Sequence, residues 1–443
     1  MKRTFRKDIT ASTIQVILNQ ALGLVIFIIT SRYLPKEIYG EFNWSFAVLT
    51  FVTTILTLRL EQVIVRKIAV GEDQSKMLSL FTGHVVFFGT AFYLVIFLAS
   101  LVFPGFFIQH QLLLIVTISQ LLILFSSPFK QLANGRNAFV LLLAMNSVSN
   151  LLKAGALVIL LLFSRVTIQA VLIIYVFSAL MELLASVLIA RVRLRTTVRF
   201  RYSVTEYFVL LKESLPQMGA VVLNACIARL DWILLGIFTT NIATAEYSFA
   251  YKVFELCPLP MLILAPILLS NFSKYFQTHT EDNLLERKGE LSVFIRYAMV
   301  LATLLPLGLN ILWAPMVDEL TNNKYGEVNK INFFLLSLCI PFQYMINLLW
   351  TIQFAQNRLK QIFRITAVTC SIILVGDLVM IPLLNAKGAA IVYLVATAVE
   401  FVLYLCTSKL IRLANSWRSL LICVVLALGS GYLVLNMDCS LFI

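Results

Sequence analysis

Long apolar segments of the sequence contain three basic residues, Lys153, Arg229 and Lys252. A cation in hydrocarbon costs at least about 2.5–3.5 kcal/mol, so such residues usually face an opposite charge or a wet cavity. Counted at about 1.5 Å per helical residue, all three lie at similar depth in the outer half of a bilayer. The three cations could therefore bind one anionic group together. Each of them alone could equally serve to neutralise a nearby acid.

Carboxylic acids accompany these cations in the same apolar segments: Glu182, Asp231, Glu255, Asp377 and Glu400. Lys252 and Glu255 are three residues apart and can pair on one helix, whereas Arg229 and Asp231 are two apart and point to different faces. Asp231, Glu255 and Asp377 are candidates to carry a proton or a sodium ion. The alternative is that they only pair with Arg229 or Lys252.

Polar side chains recur at helical spacing in four of the segments, which indicates helices with a wettable face. The stripes are Ser12, Gln15 and Asn19; Asn146, Asn150 and Lys153; Gln217, Asn224 and Asp231; and Gln343, Asn347 and Trp350. Hydrogen bonding between helices would explain part of this pattern. A water-filled cavity lined by amides and cations would suit a sugar with an anionic head group.

The elements that must position these residues are membrane helices. Hydrophobic residues make up 60% of the chain and charged residues 13%, whereas globular proteins have about 45–50% and about 25%. We predict thirteen spans, at 12–31, 42–58, 80–103, 108–128, 139–163, 168–190, 214–237, 245–270, 293–316, 331–353, 362–384, 388–411 and 419–437. This composition excludes a soluble enzyme.

The basic residues indicate how the chain is oriented. With the amino terminus inside, most of the 35 Lys and Arg residues, including Lys130, fall in loops on the cytoplasmic side, as expected for membrane proteins. The net charge of +13 is then an orientation signal, and nucleic acid is not an expected partner. The sequence contains neither nucleotide-binding nor hydrolase motifs, and its cysteines and histidines have no metal-ligand spacing. We therefore expect a transporter without a cofactor or a metal, and not an enzyme.

The basic stretch from Arg191 to Ser203 divides the spans into two halves. An even number of spans per half predicts a parallel duplication, and Gly40-Glu41-Phe42 is echoed by Ala245-Glu246-Tyr247. The predicted fold is an all-α integral membrane protein with twelve core helices in two parallel six-helix halves around a central cavity, plus a thirteenth helix. Its predicted parts are 1–203 with the basic linker, 204–412, and an extra helix in 413–443.

Two segments resemble a known family. The stretch ITSRYLPKEIYGEFNWSFAVL within residues 14–60, and residues 210–256 with Ser-Leu-Pro, Asp231 and a Tyr-x-x-Ala-x-Lys pattern, are similar to the polysaccharide transport branch of the multidrug/oligosaccharidyl-lipid/polysaccharide flippase superfamily. The chain departs from the pattern at Pro35 and Ala245, where glycine is frequent. The resemblance implies a Wzx-type flippase that moves an undecaprenyl-diphosphate-linked repeat unit to the outer leaflet by alternating access, for O-antigen (lipopolysaccharide), capsule or exopolysaccharide assembly.

The resemblance also implies roles and partners. Lys153, Arg229 and Lys252 would line the path of the diphosphate, and Arg32 and Arg59 would lie near its mouths. The partners would be the lipid-linked oligosaccharide, membrane lipids, and the glycan polymerase and chain-length machinery, in a bacterial inner membrane with the amino terminus in the cytoplasm. Two other functions stay open, namely a cation-coupled exporter of a drug or metabolite and a non-transporting scaffold of a glycan-assembly complex.

Overall fold

A computed structural model describes residues 2–163, 165–198, 203–276 and 288–408, together with 418, 421–426, 428–429 and 431. Every regular element in this part of the chain is a helix, which confirms the predicted all-α class. The chain forms two compact units, Met1–Ala225 (unit 1) and Cys226–Ile443 (unit 2). Helix α9, Val204–Phe238, begins in unit 1 and ends in unit 2.

Unit 1 is organised around helix α6, which packs against α2, α3, α4 and α8. Helix α7 in turn packs against α1 and α8. The helices are α1 Lys2–Tyr33, α2 Lys36–Leu56, α3 Leu60–Val70, α4 Gln74–Val102, α5 Pro104–Gln109, α6 Leu112–Gly135, α7 Phe139–Leu162 and α8 Ile168–Val192.

Between residues 226 and 408, the described part of unit 2 contains the end of α9 and seven further helices, α10 Asn241–Leu256, α11 Leu259–Tyr275, α12 Lys288–Thr321, α13 Gly326–Ser337, α14 Cys339–Ala355, α15 Leu359–Leu384 and α16 Ala386–Cys406. Helix α14 packs against α11, α12 and α16, and α15 packs along α16. Two glycines permit this second contact, because a side chain at Gly376 would meet Val392 and one at Gly388 would meet the backbone of Met380.

The same contact pattern recurs in the two units. In unit 1 the α2–α3 pair packs on α6, α6 packs on α8, and α8 packs on α7. In unit 2 the α10–α11 pair packs on α13–α14, that pair packs on α16, and α16 packs on α15. This recurrence supports the predicted duplication. The boundaries predicted for it, 1–203, 204–412 and 413–443, stay a prediction.

Two predicted spans are divided well inside their bounds, and a third ends at a bend. Span 42–58 ends where Leu58 and Arg59 adopt left-handed backbone conformations, and α3, which follows α2 at an angle of 49°, lies in the predicted loop. Span 245–270 is divided after Leu256, where Pro258 precedes α11. Span 331–353 is divided at Leu338, because Pro341 has no N–H to donate to the carbonyl of Ser337.

Among the described residues, nine helical stretches are long and apolar enough to cross a bilayer, or ten if the bent α2–α3 pair is one span. The chain is therefore a multi-pass membrane protein. The total of twelve spans plus one stays a prediction. Of its thirteenth member, at 419–437, residues 421–426, 428–429 and 431 are described and are helical, and the other residues lie outside the described part of the chain.

Candidate functional site

Arg229, Lys252 and Glu255 form an ion cluster in unit 2. The Glu255 carboxylate accepts hydrogen bonds from both cations, with Oε1 3.0 Å from Arg229 Nη1 and Oε2 2.9 Å from Lys252 Nζ. Both cations also lie near the ring of Trp232, with centroid distances of 4.9 Å for Arg229 and 5.8 Å for Lys252. One acid and one indole ring therefore hold two positive charges together.

Helical spacing explains how the cluster is assembled. Arg229 and Trp232 are three residues apart on α9, and Lys252 and Glu255 are three apart on α10, so each pair shares a helix face. The predicted local pair of Lys252 and Glu255 is confirmed. Arg229 binds Glu255, an acid 26 residues away that sequence spacing alone did not single out.

A cavity of about 290 Å³ adjoins the ion cluster. Its polar wall contains Glu255, Gln343, Asn347 and Glu400, and its aromatic wall includes Tyr393. Gln343 donates its amide N–H to the hydroxyl of Tyr393, and Asn347 donates to the backbone carbonyl of Gln343. Each of these amides keeps a second N–H, so together with the carboxylates the wall offers both donor and acceptor groups. It suits a ligand rich in hydroxyl groups, which both donate and accept.

Asp231 and Asp377 form a pair of buried carboxylates in unit 2, on α9 and α15. Asp231 is 1% exposed and accepts hydrogen bonds from the Tyr247 hydroxyl at 2.6 Å and from the backbone N–H of Trp232 at 2.8 Å. Asp377 is fully buried, and neither of its carboxylate oxygens has a hydrogen-bond partner among the described residues. The two carboxylates are close enough to repel each other electrostatically.

Lys153 lies in unit 1, in a separate group of buried charges. Its Nζ is 4.6 Å from the centroid of the Tyr175 ring, and its charge interacts with those of Glu182 and Lys130. Lys130 on α6 and Glu182 on α8 form a direct ion pair with little exposure of either side chain. The Ser126 hydroxyl also donates to Glu182. The cation is thus held inside the packing of α6, α7 and α8.

Lys130 corrects a sequence-based expectation. The sequence pattern places it in a cytoplasmic loop, but α6 continues through Pro128 to Gly135 and contains Lys130. Glu182 offered a signal for this pair, because an acid within a span needs a partner. Ser126 and Lys130, four residues apart, lie on the same helix face.

Arg32 and Arg59 are half-buried at helix termini of unit 1. Arg32 lies in the last turn of α1. Arg59 adopts a left-handed conformation at the start of α3, where its charge interacts with that of Glu61. The structure therefore joins Arg229, Lys252 and Glu255 directly and places Asp231 near Asp377. It places Lys153, Arg32 and Arg59 in unit 1.

One bond joins two of the predicted polar stripes across helices. The amide of Asn150 on α7 donates to the amide oxygen of Asn19 on α1 at 3.0 Å, which supports the alternative of hydrogen bonding between helices. Asn224 instead donates to a backbone carbonyl of its own helix. The side chains of Ser12 and Gln15 lie outside the described part of the chain.

A family model described as polysaccharide biosynthesis protein matches residues 5–271. The chain belongs to this family. No curated protein sequence matches the chain. The matched region covers more than half of the chain. It contains the ion cluster of this polysaccharide biosynthesis protein, Arg229, Lys252 and Glu255.

Solved structures share its fold. Lipid II flippase MurJ in an inward closed conformation has 14% identity and a TM-score of 0.73, over 95% of this chain and 96% of that chain. An inward-facing multidrug resistance MATE family transporter of the MOP superfamily has 13% identity and a TM-score of 0.66, over 92% and 99%. The Vibrio cholerae MATE transporter VcmN in the bent form has 12% identity and a TM-score of 0.56, over 98% of this chain and 100% of that chain.

The family and the fold together confirm the predicted superfamily. The solved proteins that share the fold are a flippase and transporters, and not enzymes. The polysaccharide biosynthesis protein described here is accordingly a multi-pass membrane protein with the fold of those flippases and transporters.

Proposed function

We propose that this polysaccharide biosynthesis protein moves a lipid-linked oligosaccharide, with an undecaprenyl diphosphate anchor, from the cytoplasmic to the outer leaflet by alternating access. The ion cluster carries the proposal. Lys252 has 40% of its side chain exposed and Glu255 has 31%, so an incoming anion can reach the charges. A diphosphate cannot cross hydrocarbon unaided, and Arg and Lys side chains can replace its hydration.

In this proposal, the Glu255 carboxylate can be exchanged for the anionic group of the substrate. It balances one of the two positive charges and contacts both cations, which makes it an internal stand-in for the anionic group of the substrate. A diphosphate that enters would compete with this carboxylate for Arg229 and Lys252. The adjoining polar cavity, which offers donors and acceptors, would then be available for sugar hydroxyls.

Leaflet distribution tests the proposal. In cells that depend on this protein, the isoprenoid-diphosphate oligosaccharide accessible to an outer-face probe should fall at least about tenfold in Arg229→Gln, the loss expected from one charge-assisted contact of about 1.5–3 kcal/mol. Arg364→Gln, which removes an exposed arginine of α15, is the matched control and should flip normally. Normal flipping by an Arg229→Gln protein present at wild-type level would refute the role of the cluster.

Cation coupling is a second part of the proposal, and the unsatisfied Asp377 beside Asp231 favours it. A buried carboxylate without a hydrogen bond is unfavourable, and a proton or a sodium ion would relieve the repulsion between the two acids. We expect Asp377→Asn to abolish any dependence of flipping on sodium or on the proton gradient. Flipping by the wild type that is insensitive to sodium, pH and ionophores would exclude coupling, and with it the cation-coupled exporter as an alternative function.

The same proposal includes further path residues, a membrane location and protein partners. Lys153, Arg32 and Arg59 would contribute to the path, and Glu255 would be the third acid considered for ion coupling. The protein would lie in a bacterial inner membrane with its amino terminus in the cytoplasm, beside the polymerase and chain-length proteins that serve O-antigen, capsule or exopolysaccharide. If the protein were a scaffold without transport, Arg229→Gln would give a different result. Assembly of the glycan complex would be lost, and the leaflet distribution per assembled complex would not change.

A further inference from the structure

An apolar groove of about 570 Å³ lies between helices α7 and α8 of unit 1. Its lining includes Val148 and Leu152 of α7 and Phe177, Met181, Leu188 and Arg191 of α8. The α8 residues follow at intervals of three, four and seven, so they form one stripe along the helix. This stripe is not the face that buries Glu182.

The groove is exposed where the protein meets its membrane. Phe177 is 53% exposed and Leu188 is 63% exposed, within two helices that qualify as membrane spans. From Phe177 to Arg191 the stripe is about 21 Å long at the helical rise. This exceeds the roughly 15 Å half-thickness of a hydrocarbon core, so one leaflet-spanning acyl chain fits along it.

Arg191 closes one end of this apolar groove with a positive charge. It lies in the last turn of α8, and no ion pair joins it to another residue in the described part of the chain. Arg193 and Arg195, just beyond the helix, are exposed as well. The end of the groove is therefore a site of positive potential at the level where lipid phosphates lie.

We infer that the α7–α8 groove binds an anionic phospholipid, with an acyl chain along Phe177 to Leu188 and the phosphate on Arg191. The groove is apolar along its length and has an exposed arginine at one end. An anionic phospholipid has the same arrangement, because its acyl chain is attached to a charged phosphate headgroup. Arg191 can hold the phosphate with two parallel N–H···O bonds. The site requires only that the helices lie in a bilayer, so it is independent of the proposed transport activity.

Native mass spectrometry of delipidated full-length protein in a neutral detergent tests the inference. The probes are phosphatidylglycerol and phosphatidylcholine with identical acyl chains. We expect the wild type to prefer phosphatidylglycerol about fivefold, the factor that corresponds to one basic residue near an anionic headgroup. Arg191→Gln should abolish this preference. Arg195→Gln should retain it, because Arg195 does not line the groove.

A second variant tests the apolar part of the site. Ala185 also lines the groove, and Ala185→Phe should fill it and reduce the binding of both lipids severalfold. Equal loss of preference in Arg191→Gln and Arg195→Gln would show only diffuse surface charge and would overturn the inference. Unchanged lipid binding by Ala185→Phe would overturn it as well, provided that both proteins melt as the wild type does without lipid.

The isoprenoid tail of a transport substrate is the competing occupant of the groove. Displacement of phosphatidylglycerol by an equimolar amount of undecaprenyl phosphate would assign the groove to that tail and overturn the inference. Retention of phosphatidylglycerol would support it. Because lipid binding is measured without flipping, a failure here leaves the leaflet experiment unaffected.

Discussion

At the scale of single residues, the two buried aspartates of unit 2 differ in what surrounds them. Asp231 has a tyrosine hydroxyl and a backbone N–H as donors, while both oxygens of Asp377 lack a partner among the described residues. The same side chain is thus a satisfied element of the packing at one position and an open ligand at the other. This difference makes Asp377 the stronger candidate to bind a cation.

Tyr247→Phe should lower the free energy of unfolding by about 1–3 kcal/mol, because it leaves one oxygen of the buried Asp231 without its donor. Thermal unfolding of the purified protein would measure the change. Tyr297→Phe, at a position 70% exposed on α12, is the control and should be neutral. Equal melting temperatures for Tyr247→Phe and the wild type would show that Asp231 does not depend on this bond.

At the scale of elements, the bend between α2 and α3 leaves a backbone carbonyl without its helical donor, and a side chain of another helix supplies one. The break diverts the N–H of Leu60 to the carbonyl of Thr57, which frees the carbonyl of Leu56. His84 of α4 lies 2.8 Å from this carbonyl through Nε2 and 2.7 Å from the Tyr207 hydroxyl through Nδ1. Since a carbonyl only accepts, Nε2 donates to Leu56 and Nδ1 accepts from Tyr207.

A double-mutant cycle with His84→Phe and Tyr207→Phe should give a coupling energy of about 1 kcal/mol, and His84→Phe alone should cost about 1–3 kcal/mol because the Leu56 carbonyl loses its donor. Unfolding of the four proteins provides the measurement. As a control, the cycle should be repeated with Tyr93→Phe in place of Tyr207→Phe. Tyr93 lies on α4 and makes no hydrogen bond to a described residue. Coupling of the same size in that cycle would argue against a specific bond.

At the scale of the whole molecule, the predicted orientation in the membrane rests on the charges of the loops. Arg165 and Thr197 lie at opposite ends of α8, and both are exposed. In a cysteine-free background, we expect an impermeant maleimide applied to intact cells to label Arg165→Cys but not Thr197→Cys. Permeabilised cells should show both labelled. The reverse pattern would place the amino terminus outside and would contradict the predicted topology.

Much of this fold could be predicted from the sequence, because apolar length and periodicity are local properties. The helix positions and the pair of Lys252 with Glu255 required only spacing. The bend at Leu58 and Arg59 could not be predicted, because neither glycine nor proline marks it. The contacts of Arg229 with Glu255 and of Lys130 with Glu182 depend on how distant helices pack. The unsatisfied state of Asp377 also depends on the residues that pack around it in the folded chain.

Helix α9 sets a rotational phase along the chain. Its beginning is fixed by Tyr207 to His84 and by Glu213 to Arg66 at 2.7 Å, and the same unbroken helix later presents Arg229. An inserted residue would both turn and lengthen this helix. One residue adds about 100° and about 1.5 Å, whereas seven return the rotation to within about 20° but add about 10.5 Å. No insertion near Ala225 preserves both quantities, so the helix should tolerate substitution there better than insertion.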